Sequence, residues 1–253
     1  MGSMQFIRTT VGKAFCVLAV LWAVGCAQKN LSSLAAPDGE EFEQSKATVC
    51  SSRFWRGSYT IRHAGDIRLI KGYEAVTGDL VVSGTVLKSL DGLECLTHVN
   101  GSLWIEKNPH LASLGGLSNL SHVGRDAVIV ANHTLQSLRG LDNAISIVGS
   151  LWIGSNNALV DLHGLEKLSS IGKWLIVAEN DALSELRGLE QLASVGGWLV
   201  VAENRTLAAL RGLEGLTAVA QSLILTENAG ILDYTGLNNL TSIGDEFWIV
   251  ENS

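Results

Sequence analysis

Proline and charged residues are scarce in this sequence. Only 2 of the 253 residues are Pro and 17% are charged, whereas 47% are hydrophobic and 27 are Gly. This composition excludes a proline-rich linker protein and argues against a largely disordered chain. Basic residues are also few, with 18 Lys and Arg against 25 Asp and Glu. The net charge of −7 therefore argues against nucleic-acid binding, which requires a basic surface.

The N-terminus has the pattern of an export signal. Arg8 and Lys13 precede an apolar run of 11 residues at 14–24, which is too short to cross a bilayer as a helix. The sequence Ala-Val-Gly-Cys at 23–26 resembles the lipobox of bacterial lipoproteins. This resemblance implies cleavage before Cys26, diacylation of its thiol and stable anchoring by two or three acyl chains. The alternative is an ordinary signal peptide with an incidental Cys.

The next segment is polar and leads into the rest of the chain. Residues 27–49 predict a flexible tether, so we divide the chain into a signal and lipobox at 1–26, a tether at 27–49 and a folded domain at 50–253. No later segment is apolar enough to predict a transmembrane helix. Ala27 after the Cys favours an outer-membrane location in the cell envelope. Cys50 and Cys95 remain as an even pair in an oxidising compartment, which favours a disulfide, with two free thiols as the alternative.

After residue 79 the sequence repeats every 24 residues. Seven Asn occupy the same place in seven successive units: Asn108, Asn132, Asn156, Asn180, Asn204, Asn228 and Asn252. Each is preceded by an alternating strand pattern, as in Leu103-x-Ile105, and the first six are followed by further apolar columns and a Gly-Leu pair. Because one unit cannot bury its own apolar side, the units must stack into a continuous core with equivalent strands in parallel. The Asn side chains then bond backbone groups in the turns and form a ladder between coils.

The repeat resembles two families. The run Leu103-x-Ile105-x-x-Asn108 is similar to leucine-rich repeats. The segments at 59–67 (YTIRHAGDI) and 72–82 (GYEAVTGDLVV) more closely resemble the receptor L-domain of the insulin and EGF receptor families. The resemblance implies an all-β-rich solenoid, a right-handed parallel β-helix, with a short N-terminal capping helix N-capped by Asp66. It also implies a disulfide near this cap, here displaced to Cys95, and a general binding role.

One face of the predicted strands is apolar although it points away from the core. The second position of each strand carries Val81, Trp104, Val128, Trp152, Ile176, Val200, Ile224 and Trp248, and the outward position two residues earlier adds Trp174 and Trp198. We expect a broad exposed apolar stripe, which is typical of an interface. The alternative is that β-propensity alone selects Val, Ile and Trp at outward positions.

The polar columns beside this stripe are weaker indications of a binding site than the stripe itself. Glu179, Glu203, Glu227 and Glu251 lie one coil apart and are typical of a solvated rim, although they could meet a basic partner or a divalent cation. His98 and His122 without a carboxylate do not predict a metal site, and we expect no cofactor. No grouping of residues suggests catalysis. We therefore expect a non-enzymatic, lipid-anchored recognition protein that binds a protein or glycan at the cell surface. The alternatives are a structural envelope protein that self-associates through its last coil and, less favoured, a polysaccharide-active β-helix enzyme.

Overall fold

The computed structural model describes residues 50–252. The predicted signal, the lipobox with Cys26 and the tether lie outside the described residues.

Each turn of the chain contributes one strand to each of two parallel sheets, and each sheet has nine strands. The first, called here the short-strand sheet, contains β1 (Ser51–Trp55), β3 (Tyr73–Val76), β5 (His98–Val99), β7 (His122–Val123), β9 (Ser146–Ile147), β11 (Ser170–Ile171), β13 (Ser194–Val195), β15 (Ala218–Val219) and β17 (Ser242–Ile243). The second, the long-strand sheet, contains β2 (Tyr59–Ile61), β4 (Leu80–Ser83), β6 (Leu103–Glu106), β8 (Ala127–Val130), β10 (Leu151–Gly154), β12 (Leu175–Ala178), β14 (Leu199–Ala202), β16 (Leu223–Thr226) and β18 (Phe247–Val250). The chain is therefore a parallel β-solenoid, as the repeat predicted.

Equivalent positions of the repeat lie side by side in the long-strand sheet. Leu151 pairs with Leu175, and Leu175 pairs with Leu199, each 24 residues further along the chain. The first and third strand positions point inward, because Leu103 and Ile105 are 1% and 0% exposed and belong to the core. Leucines of the connecting segments close the third side of each coil, as do the fully buried Leu111 and Leu114. One apolar core therefore runs through the whole stack.

The repeated Asn residues bond to each other from coil to coil. The side-chain Nδ2 of Asn180 donates hydrogen bonds to the carbonyls of Ile153 and Ala178 and to Oδ1 of Asn204. The Oδ1 of Asn180 accepts a hydrogen bond from the backbone N–H of Asn156 at 3.1 Å. All seven are buried: Asn108, Asn132, Asn156, Asn180, Asn204, Asn228 and Asn252. These bonds satisfy polar groups that the turn after each long strand would otherwise leave unpaired.

The residue before each ladder Asn adopts a left-handed backbone conformation without being glycine. The φ angle is +58° at Glu179 and +55° at Glu203, and Lys107 at +56° shows the same. Such a conformation is costly for a residue with a Cβ. The following Asn fixes the turn through its own hydrogen bonds, and we infer that this compensates the cost.

The N-terminal end of the stack is closed by helix α1 (Ala64–Ile70), which buries Ile67 and Ile70. The expectation that Asp66 is the N-cap was wrong, since the helix starts two residues earlier and His63 is the N-cap. Asp66 instead accepts the backbone N–H groups of Arg62 and His63 at 2.7 and 3.2 Å from the third helical position. From the first turn it thus satisfies the N–H of the N-cap residue, which is the role of the third-position carboxylate in a capping box.

A disulfide and two short 3₁₀ helices complete the described structure. Cys50, directly before β1, is joined to Cys95, with Cα atoms 5.2 Å apart. The 3₁₀ helices are Gly115–Leu117 and Thr235–Leu237. In the coils between them the corresponding glycine has a positive φ, as at Gly140, where a Cβ would lie 2.1 Å from the carbonyl oxygen of Leu114. Any residue with a Cβ would therefore clash with the preceding coil at this position.

Candidate binding face

The surface of the long-strand sheet that points away from the core is called here the outer face. It carries three parallel rows of side chains. The leading row, one residue before each strand from β4 onward, is Asp79, Ser102, Asp126, Ser150, Trp174, Trp198, Ser222 and Glu246. The middle row, at the second strand position, is Val81, Trp104, Val128, Trp152, Ile176, Val200, Ile224 and Trp248. The trailing row, at the fourth position, is Ser83, Glu106, Val130, Gly154, Ala178, Ala202, Thr226 and Val250.

The structure brings all nine predicted binding residues to this face, but it does not expose all of them. Trp104, Trp152, Trp174, Trp198 and Ile224 are half-buried, and Trp248 is 39% exposed.

Three members of the middle row are buried, so the expectation of an exposed stripe along the whole face was wrong. Val128, Ile176 and Val200 are only 1%, 5% and 6% exposed, yet they do not belong to the core cluster. The register gives a reason at Val128, which lies directly between Trp104 and Trp152. A Val between two much larger indoles loses most of its access to water. At these three positions the middle row therefore offers almost no accessible apolar surface.

Two tryptophans of the leading row stack on each other. The rings of Trp174 and Trp198, called here the indole pair, have centroids 5.6 Å apart and planes inclined by only 18°. The offset stacked arrangement is one that aromatic rings favour. Because the two residues lie on successive coils, one face of Trp198 covers Trp174 and the opposite face is directed toward the next coil, at Ser222.

Glycines make room for these indoles, a role that the sequence analysis missed. A Cβ at Gly197 would lie 2.5 Å from Cδ1 of Trp174, and a Cβ at Gly154 would lie 2.6 Å from Nε1 of Trp152. The indoles thus lie close against the backbone of the sheet. The available signal for this packing was a glycine one or two residues from a tryptophan, since Gly197 directly precedes Trp198 and Gly154 follows Trp152 by two residues.

Carboxylates border the trailing row. Glu179, Glu203 and Glu227 lie one coil apart in the turns that follow β12, β14 and β16. Burial, and then the neighbouring charges of Glu227 and Glu179, raise the pKa of Glu203 above its ordinary value. Ser155 donates a hydrogen bond to Glu179 at 2.8 Å. The three rows of the described outer face contain no Lys or Arg, so the charged side chains of this surface and of its border with Glu179, Glu203 and Glu227 are all acidic.

The histidine pair lies elsewhere. His98 and His122 belong to β5 and β7 of the short-strand sheet, with ring centroids 5.8 Å apart. The Nδ1 of His98 is 2.7 Å from the hydroxyl of Thr97. Across residues 50–252, no group of three or more His, Cys, Asp or Glu is placed to hold a metal ion.

A cleft of about 400 Å³ lies beside the disulfide and is lined by residues that include Glu74, Glu94, Asn119 and Asn143. The side chains of Glu94, Asn119 and Asn143 bond to backbone groups of the turns. Asn119 donates to the carbonyl of Glu94, Asn143 donates to the carbonyl of Ser118, and the carboxylate of Glu94 accepts the N–H of Gly92. The cleft contains no pairing of nucleophile and base.

Comparison with known proteins gives no assignment. No family model, no curated protein and no solved structure matches this chain. In the part of the chain that the structure describes, no helix has the length and apolarity required to cross a membrane. The candidate site therefore rests on its own geometry.

Proposed function

We propose that this protein is a non-enzymatic recognition module of the bacterial cell envelope that binds a protein or a glycan through the outer face. The observation that carries this proposal is the middle row, an uninterrupted series of apolar residues on a side of the sheet that the core does not use. Trp104, Trp152 and Trp248 are accessible members of this row.

The arrangement of the tryptophans supports binding better than β-propensity alone. Propensity favours Val, Ile and Trp at each position independently. It gives no reason for stacking the indole pair or for placing Gly154 and Gly197 beneath indoles. Large, rigid aromatic side chains that are already held in place lose little conformational freedom when a ligand covers them.

The proposal includes the anchor and the compartment. The resemblance of residues 23–26 to a lipobox supports lipidation at Cys26, and residues 27–49 would give the domain reach from an outer membrane. The receptor L-domain likeness of residues 59–82 supports a binding role rather than catalysis.

The test is partner capture from the native envelope. Replacing Trp104, Trp152 and Trp248 together by Ser should abolish capture, because it removes three anchors from the outer face and none from the core. The control replaces three exposed apolar residues elsewhere, Val86, Val160 and Leu232, by Ser. This control should capture normally. Undiminished capture by the tryptophan variant, with a normal circular dichroism spectrum, would refute the proposal.

A second candidate function is self-association through the last coil. All four residues of β18 are at least 39% exposed, and Phe247 and Ile249 are 49% and 48% exposed at inward positions whose counterparts in β16 are fully buried. Among the described residues β18 pairs only with β16, and none of them forms a strand on its outer edge; an edge strand of this kind favours pairing with another chain.

Sedimentation equilibrium distinguishes this candidate from simple recognition. The protein should dimerise with rising concentration, and Ile249→Lys should hold it monomeric because a charge blocks edge pairing. A monomer at every concentration tested would exclude self-association through this edge.

A further inference from the structure

We propose that the outer face contains a binding slot for a pyranose ring of an uncharged or amine-bearing glycan, formed by Trp198, Ser222 and Glu246. This inference deepens the proposed recognition function and rests on it. It names both a place on the outer face and a class of ligand.

Three successive coils form the slot. The backbone N–H of Leu199 donates to the carbonyl of Ser222, and that of Leu223 donates to the carbonyl of Glu246, so the leading-row residues of these coils are neighbours. Ser222 is the smallest of the three and is the floor. Ser222 is 9% exposed and lies between the half-buried Trp198 on one side and the exposed Glu246 on the other.

Both walls are held in place. The indole of Trp198 is stacked on Trp174, so its opposite face points away from Trp174, toward the coil that contains Ser222. The carboxylate of Glu246 accepts a hydrogen bond from Nε1 of Trp248 at 2.8 Å through Oε2, so its other oxygen, Oε1, is available to a ligand. The hydroxyl of Ser222 accepts the N–H of Glu246 at 3.4 Å and keeps its proton to donate.

The width of the slot suits one ring. Trp198 and Glu246 are two coils apart, which corresponds to about 9.6 Å at the usual strand spacing. A ring in van der Waals contact with the indole lies about 4 Å from it. The remaining distance matches a hydroxyl substituent plus a hydrogen bond of about 2.8 Å to the carboxylate.

The chemistry of the walls selects the ligand class. A pyranose ring has an apolar C–H face, which suits the indole, and a rim of hydroxyls, which suits a carboxylate and a serine. The three rows of the described outer face lack Lys and Arg, and one wall of the slot is the carboxylate of Glu246, which disfavours uronic acids and sulfated sugars. An amine on the ring would gain from both the carboxylate and the indole.

The experiment measures direct binding of four defined tetrasaccharides by calorimetry and by tryptophan fluorescence. The probes are chitotetraose, its deacetylated glucosamine form, maltotetraose and tetragalacturonate. We expect at least one of the first three to bind with a Kd below about 1 mM, and tetragalacturonate not to bind. Absence of binding by all of the first three, or preference for tetragalacturonate, would overturn the inference.

The decisive variant fills the slot. Ser222→Trp adds a third indole beside Trp198 and should weaken binding at least about tenfold. Ser102→Trp is the matched control, because Ser102 lies in the same leading row, is similarly buried and accepts the N–H of Asp126 at 3.4 Å as Ser222 accepts that of Glu246. This control should bind like the parent protein. Equal affinities for the two variants would contradict the inference.

A second variant tests the slot without inserting a large side chain, so its result does not depend on whether Ser222→Trp folds. Glu246→Gln changes only an exposed carboxylate and should weaken glucosamine tetramer binding more than maltotetraose binding. An unchanged preference would overturn the assigned role of Glu246. If the sugars fail to bind while the Trp104, Trp152 and Trp248 variant still loses envelope capture, the slot is wrong and the recognition function stands.

Discussion

Removing one rung of the Asn ladder should destabilise the protein far more than removing a neighbouring surface Asn. In Asn180→Ala the buried N–H of Asn156 loses its acceptor, and the side-chain bonds to Ile153 and Asn204 disappear. An orphaned buried donor costs about 1–3 kcal/mol, and each further lost bond costs about 1 kcal/mol. We expect a loss of about 3–5 kcal/mol in the free energy of unfolding, above the range of most single substitutions.

Asn157→Ala is the control for this prediction. Asn157 is exposed, and its side chain makes one long hydrogen bond of 3.4 Å to Asp181. Its removal should change the free energy of unfolding by less than about 0.5 kcal/mol.

Urea denaturation followed by circular dichroism and by tryptophan fluorescence gives both values. Because solenoids can unfold in segments, the two probes should be compared and the slopes checked for equality before free energies are assigned. A loss for Asn180→Ala as small as that for Asn157→Ala would refute the reasoning that the ladder satisfies buried backbone groups.

Three further predictions concern the cap, the disulfide and the acidic border. Burial, and then the charge of Asp66, raise the pKa of Tyr59 from 10.0 to about 12. The neutral phenol is therefore favoured in the folded state, and its contribution to stability should be present below pH 10 and lost between pH 10 and about 12. Tyr59→Phe should remove that part of the pH dependence in thermal melts. Replacing Cys50 and Cys95 by Ser should cost about 4 kcal/mol in urea denaturation, the chain-entropy value for a separation of 45 residues. An equal stability in reducing and oxidising buffer would argue against this value. The pKa of Glu203 is raised, so its contribution to stability is complete below its ordinary pKa and is lost as pH rises from there through the raised pKa of the folded state. Glu203→Gln should therefore stabilise the protein at pH 7 by roughly 0.2–1 kcal/mol, with no gain near pH 3 and less gain in high salt.

The sequence was sufficient to predict the solenoid because every coil repeats the same physical requirement. A period-2 strand, a buried Asn and a Gly-Leu turn recur at fixed spacing, so register and core followed from aligning the units. Leu151, Leu175 and Leu199 are neighbours in the sheet for that reason. The capping helix was also predictable, although the role of Asp66 within it was assigned to the wrong position.

The surface was less predictable because exposure depends on neighbours in three dimensions. Period-2 alternation places Val128 outward but does not show that Trp104 and Trp152 border it on both sides. Stacking of the indole pair depends on side-chain conformation, which no spacing determines. The left-handed turns at Glu179 and Glu203 were also missed, since Gly is the residue that normally signals such a backbone.

Hydroxyl-radical footprinting, normalised to the unfolded protein, tests the central claim most directly. The claim is that the indoles lie outside a core formed by their immediate neighbours in sequence. Trp104, Trp152 and Trp198 should be oxidised, while Leu103, Leu151 and Leu199 should be protected, because these leucines are at most 1% exposed. Protection of the three tryptophans to the same degree as the leucines, in the free protein, would contradict the account.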